Sequence, residues 1–150
     1  MRVTRPTPPL DVLIVEDEAL IALDLSLLVE DQGHRVVAEA DSLDAVTQVV
    51  GTIAPNLVFL DLHLAKGQSG FDVCRLVQAA WKDSTIVFLT ANPDLVPAHC
   101  CGAHGVISKP FTRSGISEAL RYLEQGICRP PPHGDAPECL AKTDNFKNQW

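Results

Sequence analysis

The sequence contains no run of lysines and arginines, no long uninterrupted apolar stretch and no paired cysteine spacing, and each absence closes off a class of function. With 12 Lys and Arg against 19 Asp and Glu, the formal net charge of −7 gives no electrostatic basis for capturing nucleic acid. The N-terminal stretch MRVTRPTPPLDVLIVEDEALIALDL places two arginines ahead of apolar residues, but Asp11, Glu16, Asp17 and Glu18 interrupt it. It fits neither a signal-peptide core nor a membrane span, so a cytoplasmic protein without membrane association is expected. The five cysteines, Cys74, Cys100, Cys101, Cys128 and Cys139, are odd in number and lack the spacing of a disulfide framework; free thiols are expected.

What is present is a chain of 150 residues, 46% hydrophobic, which suits one domain with a full core and a short tail. A proline-bearing lead over residues 1–9 reads as flexible, the folded domain as residues 10–126, and residues 127–150, with their proline run and weak periodicity, as a flexible tail. Three continuous apolar runs, at 11–15 (DVLIV), 57–60 (LVFL) and 85–89 (TIVFL), have the pattern of strands buried on both faces. Residues 35–40 (RVVAEA) are less apolar and read as a strand nearer an edge, and 105–108 as a brief fifth strand.

Between the runs the apolar spacing turns helical. Ile21, Leu25 and Leu28 form one stripe flanked by Leu20 and Leu27, with Gly33 ending the helix. A second helix carries Leu43, Val46, Val49 and Val50 behind Asp41 or Ser42 as cap, and a third carries Phe71, Cys74, Leu76, Val77 and Trp81. A last one, capped by Thr112, carries Ile116, Ala119, Leu120 and Leu123. Pro97 sits in the only segment available for a helix between the fourth and fifth strands and leaves it one or two turns at most. Alternating strands and helices imply right-handed βαβ crossovers and a parallel sheet.

In such a sheet the polar residues at strand ends converge. Glu16 and Asp17 follow the first strand, Asp61 the third, Thr90 the fourth and Lys109 the fifth, so with strand order 2-1-3-4-5 they meet over one edge. Three carboxylates together repel one another unless a cation neutralises them, and a hard, oxygen-only set suits Mg²⁺. Lys109 adds a point charge and Thr90 a hydroxyl, both able to bind a phosphoryl oxygen, and an Asp carboxylate can attack phosphorus when the developing charge is offset. The pocket suits phosphoryl transfer. His99, Cys100, Cys101 and His104 are spaced too irregularly for structural zinc, and Cys128, His133 and Cys139 form a weaker set still.

VEDE with Glu16 and Asp17, FLDLHL with Asp61, FLTA with Thr90 and ISKPF with Lys109 and Pro110, in that order over residues 10–126, resemble the receiver domains of two-component response regulators of the chemotaxis-regulator kind. The resemblance implies an α/β flavodoxin-like doubly wound (βα)5 fold with a five-stranded parallel sheet. It implies that Asp61 accepts a phosphoryl group from a sensor histidine kinase or histidine phosphotransfer protein, and that Glu16, Asp17, Asp61 and the backbone carbonyl of His63 hold Mg²⁺. Thr90 would shift toward the phosphoryl group, Lys109 would bind it, Ala91 would keep the site open, and the Lys109–Pro110 bond is a cis candidate. The protein would be no enzyme beyond its own aspartyl phosphorylation and dephosphorylation, and would act alone, with no output domain and with homodimerisation left open.

Two departures stand out: Val106 occupies a position where receivers usually carry an aromatic residue, and the Thr90 to Lys109 segment is shorter than usual. They support an alternative reading, a non-phosphorylated pseudo-receiver acting as a scaffold or adaptor. The intact acidic pair, Asp61, Thr90 and Lys109 count against it, because a scaffold has no need to keep mutually repelling carboxylates together. A phosphatase of the aspartyl-nucleophile type would show a second Asp two residues after the first, and His63 stands there.

Overall fold

The computed structural model describes residues 8–97 and 102–144. In chain order it contains β1 (Asp11–Val15), α1 (Ala19–Asp31), β2 (Arg35–Ala40), α2 (Leu43–Val49), β3 (Leu57–Asp61), α3 (Gly70–Ala80), β4 (Thr85–Thr90), β5 (Gly105–Ser108), α4 (Arg113–Cys128) and β6 (Leu140–Lys142). The caps are side-chain oxygens at three helix starts. Ser42 accepts from Ala45 N–H at 3.2 Å, Ser69 from Phe71 N–H at 3.1 Å and Thr112 from Gly115 N–H at 2.9 Å.

One sheet runs β2-β1-β3-β4-β5-β6. Its first five strands are parallel, in the expected order, and β6 is antiparallel to β5. Because side chains alternate along a strand, Ile14, Phe59, Val87 and Ile107 pack on one face with α1 and α4. Val15, Leu60, Phe88 and Val106 pack on the other with α2 and α3. Covering both faces leaves β3 and β4 buried along their whole length, and this is why they read as unbroken apolar runs. Edge strand β2 is half-buried at Val36, Val37 and Ala38 and exposed at Arg35 and Glu39.

Two regions bear on the sequence reading, the first in line with it and the second departing from it. Between β4 and β5 the described residues form a single 3-10 turn, Pro93–Leu95, while His99, Cys100 and Cys101 lie outside the described residues. The segment expected to be a flexible tail from residue 127 is packed as far as residue 144. There α4 continues to Cys128, and β6 pairs Leu140 with Ile107, Ala141 with Val106 and Lys142 with Gly105. Without it β5 would be an edge strand four residues long, with unpaired backbone groups facing outward. Thr143 reinforces the pairing: its N–H donates to His104 O at 2.9 Å, and its hydroxyl lies 2.6 Å from Ala103 O and 2.8 Å from His104 O. A three-residue strand is too short to show a period, and the prolines before it belong to its connection.

Leu140 is buried in the cluster that holds Ile107, Ile116 and Leu120. Leu140→Ala is therefore expected to lower unfolding free energy by about 2–4 kcal/mol, the range for deleting a buried leucine. Denaturant unfolding checks this, and an unchanged midpoint would show that β6 adds nothing to the core.

Candidate functional site

The loops after β1 and β3 leave in opposite directions, α1 to one face of the sheet and α3 to the other. Adjacent parallel strands that diverge in this way open a crevice at their carboxyl ends. Glu16, directly after β1, is anchored by its N–H donating to Ala40 O at 2.9 Å, and Asp61 is the last residue of β3. Both side chains are buried, whereas Asp17 is exposed. Ligand oxygens of Glu16, Asp17 and Asp61 all lie within 4.8 Å of one another.

Lys109, one residue past β5, reaches into this cluster. Its Nζ donates to Glu16 Oε1 at 2.6 Å and to Asp61 Oδ2 at 3.2 Å. The second oxygens are held by backbone: Glu16 Oε2 accepts from Glu18 N–H and Asp61 Oδ1 from His63 N–H, each at 3.3 Å. Burial, and then the hydrogen bond and charge of Asp61, push the Glu16 carboxyl up to about 7, which Lys109 only partly opposes. Burial pulls the Lys109 ammonium down, but its hydrogen bond to Glu16 and the charges of Asp61 and Glu16 outweigh that and raise it. One ammonium against three carboxylates leaves a deficit of positive charge in a set of hard oxygen donors. These residues fit a magnesium ion.

Thr90 ends β4 fully buried beside β5, paired with Ser108, and its hydroxyl accepts from Asn92 N–H at 3.0 Å. Lys109 N–H donates to Thr90 O at 2.8 Å, and the Lys109–Pro110 bond is cis. Ala91 lines a cavity of about 340 Å³ beside the carboxylates, together with Ile21, Asp24, Lys109, Pro110 and Phe111. Val106 does not face this cavity; it is buried in the opposite cluster with Phe88. Among the described residues, the carboxylate trio is the group with metal-ligand geometry, and Cys128, His133 and Cys139 form no such group.

Two contributors escaped the sequence reading, one in part and one wholly. Along α1, Leu20, Leu23 and Leu27 are 81%, 54% and 52% exposed and continue the Ile21–Asp24 rim of the cavity. The available signal was a helix apolar nearly all round, more than one buried face can use. The other is Gly70. A Cβ there would stand 2.3 Å from Asp61 O and 2.9 Å from Leu62 Cα, so only glycine lets the start of α3 rest on the end of β3. Its N–H donates to Leu62 O at 2.7 Å.

A doubly wound α/β domain with an acidic pocket and a lysine at its switch-point edge defines a class of phosphoryl-responsive signalling domains. Residues 12–121 match the response regulator receiver domain, and the chain belongs to that family. Like that family, it carries the acidic pocket in which receivers normally bind Mg²⁺. It is 33% identical over 128 residues to the phyllosphere-induced regulator PhyR of Methylorubrum extorquens, covering 82% of this chain and 48% of that protein. It is 34% identical over 124 residues to the transcriptional regulatory protein PdtaR of Mycobacterium tuberculosis, covering 81% and 58%. The solution structure of the Erythrobacter litoralis PhyR receiver domain superposes with a TM-score of 0.70 at 28% identity, covering 84% of this chain and 97% of that one. The chain spans about half the length of the curated relatives it matches. Among the described residues no helix is long and apolar enough to cross a membrane.

Two outcomes follow from the geometry. A Gly70→Ala change forces the start of α3 and the Asp61 backbone apart, so Mg²⁺ affinity measured by calorimetry is expected to fall about tenfold or more. The strained but remote Gly102→Ala should leave that affinity alone. The second concerns Glu16, whose folded pKa of about 7 lies above the ordinary glutamate value of 4.5. The folded state then binds the extra proton, so the stability contributed by this group falls as pH rises from about 4.5 to about 7. Metal-free Glu16→Gln is expected to gain thermal stability over the parent at about pH 8 and to lose that gain toward about pH 5. Equal midpoints across the range would contradict the raised value.

Proposed function

We propose that this receiver accepts a phosphoryl group on Asp61 from the phosphohistidine of a sensor histidine kinase or histidine phosphotransfer protein. The single observation carrying this is Lys109 Nζ bonded to both Glu16 and Asp61 inside the carboxylate trio. An Asp61 carboxylate oxygen attacks phosphorus, the P–N bond breaks, and its electron pair remains on the departing imidazole nitrogen. The product is an acyl phosphate, which water later cleaves to inorganic phosphate and the free carboxylate. Glu16, Asp17, Asp61 and the His63 carbonyl would hold Mg²⁺, which when bound supplies positive charge against the phosphoryl oxygens.

Lys109 then trades its bond to Glu16 for one to a phosphoryl oxygen. Thr90, whose oxygen already accepts from Asn92, gives its own hydrogen to another. Ala91 contributes no bulk at the mouth of the site. The exposed Leu20, Leu23 and Leu27 stripe, continuous with the cavity, is the surface on which a histidine-bearing helix docks, in the helix-in-groove manner. Such a protein transforms nothing but its own aspartate and works in the cytoplasm through altered protein contacts, without nucleic acid. Mg²⁺ dependence is part of the same reading.

Incubation with acetyl phosphate and Mg²⁺ followed by intact-mass measurement tests this. One added phosphoryl group is expected, absent in Asp61→Asn and without Mg²⁺, and formed about 10²-fold more slowly in Lys109→Ala, as when a positioned charge donor is removed. No added mass in the parent protein would support the scaffold reading instead.

A further inference from the structure

The C-terminal segment and the acidic pocket share one element, β5. This strand has only four residues, and Lys109 follows it immediately. Its inner side is held by β4, ending in the Thr90 and Ser108 pair and the bond from Lys109 N–H to Thr90 O. Its outer side is held by β6, and its approach by Thr143, whose N–H and hydroxyl reach the carbonyls of Ala103 and His104. Thr143 is 3% exposed, and its hydroxyl serves the buried carbonyl of Ala103 and the part-buried one of His104. Cys139 S–H donates to Gly115 O at 3.2 Å and fastens the segment to the start of α4. Lys142 Nζ lies over the Tyr122 ring, 5.9 Å from its centroid.

The position of β5 fixes where the Lys109 ammonium can reach. Its two bonds, at 2.6 and 3.2 Å, tolerate little displacement of the strand that carries them. The intervening 129–138 stretch contains Pro130, Pro131, Pro132 and Pro137, which lack backbone donors, so β6 is joined to α4 by a connection that cannot extend either element.

We propose that residues 139–143 form a strap whose docking on β5 is coupled to occupancy of the acidic pocket by a divalent cation and a phosphoryl-type anion. The docked strap holds Lys109 where the anion needs it. By reciprocity, the bound anion then tightens the strap by the same factor. The proposal rests on the phosphoryl-acceptor reading above. It places a handle for control on the side of β5 away from the pocket, because anything that lifts the strap weakens the site.

Hydrogen exchange on the full chain tests it, comparing Mg²⁺ alone with Mg²⁺ and beryllium fluoride, a phosphoryl mimic. Exchange in the 137–144 peptide is expected to slow about fivefold or more, the lower end of ordinary coupling between sites. In parallel, Leu140→Ala and Thr143→Val should weaken beryllium fluoride binding by a comparable factor. Val29→Ala, which cuts the same core cluster from α1, serves as the control for simple loss of stability. Tight binding of beryllium fluoride with unchanged 137–144 exchange overturns the strap, as does an affinity loss in Leu140→Ala no larger than in Val29→Ala. Failure of the parent protein to bind beryllium fluoride at all overturns the acceptor reading first and the coupling with it.

Discussion

Two buried carboxylates, Glu16 and Asp61, share one ammonium at the end of a sheet, and the architecture serves to keep them there. Left alone, carboxylates this close and this far from water would be driven to take up protons; the raised Glu16 pKa records that tendency even with Lys109 in contact. A flexible scaffold would relieve the repulsion by moving. This one resists because Asp61 lies on a strand with neighbours on both sides and helices on both faces, and because Gly70 seats α3 directly on its backbone. The site stores unfavourable electrostatics in a rigid frame, which a divalent cation would relieve.

How much of this was legible in the sequence depended on burial. β1, β3 and β4 declared themselves because residues covered on both faces must be apolar without interruption, and the polar residues ending them, Asp61 and Thr90, stood out by contrast. The positions that carry the pocket could therefore be read from strand ends alone. β6 could not, since three residues, one of them a lysine snorkelling over Tyr122, have no period, and their role exists only once β5 presents an edge. The α1 stripe was half visible: Leu20 and Leu27 were seen beside the core stripe, but spacing alone did not say that they face outward with Leu23. Gly70 carries no signal in the spacing of the sequence, and its close approach to Asp61 is a tertiary fact.

The family match ends at residue 121, whereas the packing continues to 144. Cys128 and Cys139 pack against the same cluster as Ile107 and Leu120, and Thr143 satisfies carbonyls that precede β5. The structural unit of this chain is thus larger than the family's common core, and the addition sits on the strand that delivers Lys109.

That placement bears on how a signal could leave the site. Where receivers usually carry an aromatic residue, Val106 is buried against the α2 and α3 side of the sheet, directly across from Ala141. A β-branched side chain is stiff about its first torsion and small, so it cannot swing between an inward and an outward pose as a ring does. The segment that would lie over it is, among the described residues, reduced to the Pro93–Leu95 turn. Val106 therefore offers a response at Thr90 and Lys109 no rotating ring through which to pass. What remains is the backbone of β5, bonded to Thr90 O on one side and to β6 on the other. On the coupling proposed above, the route outward is a strand and its hydrogen bonds, and the C-terminal segment is the first element those bonds reach.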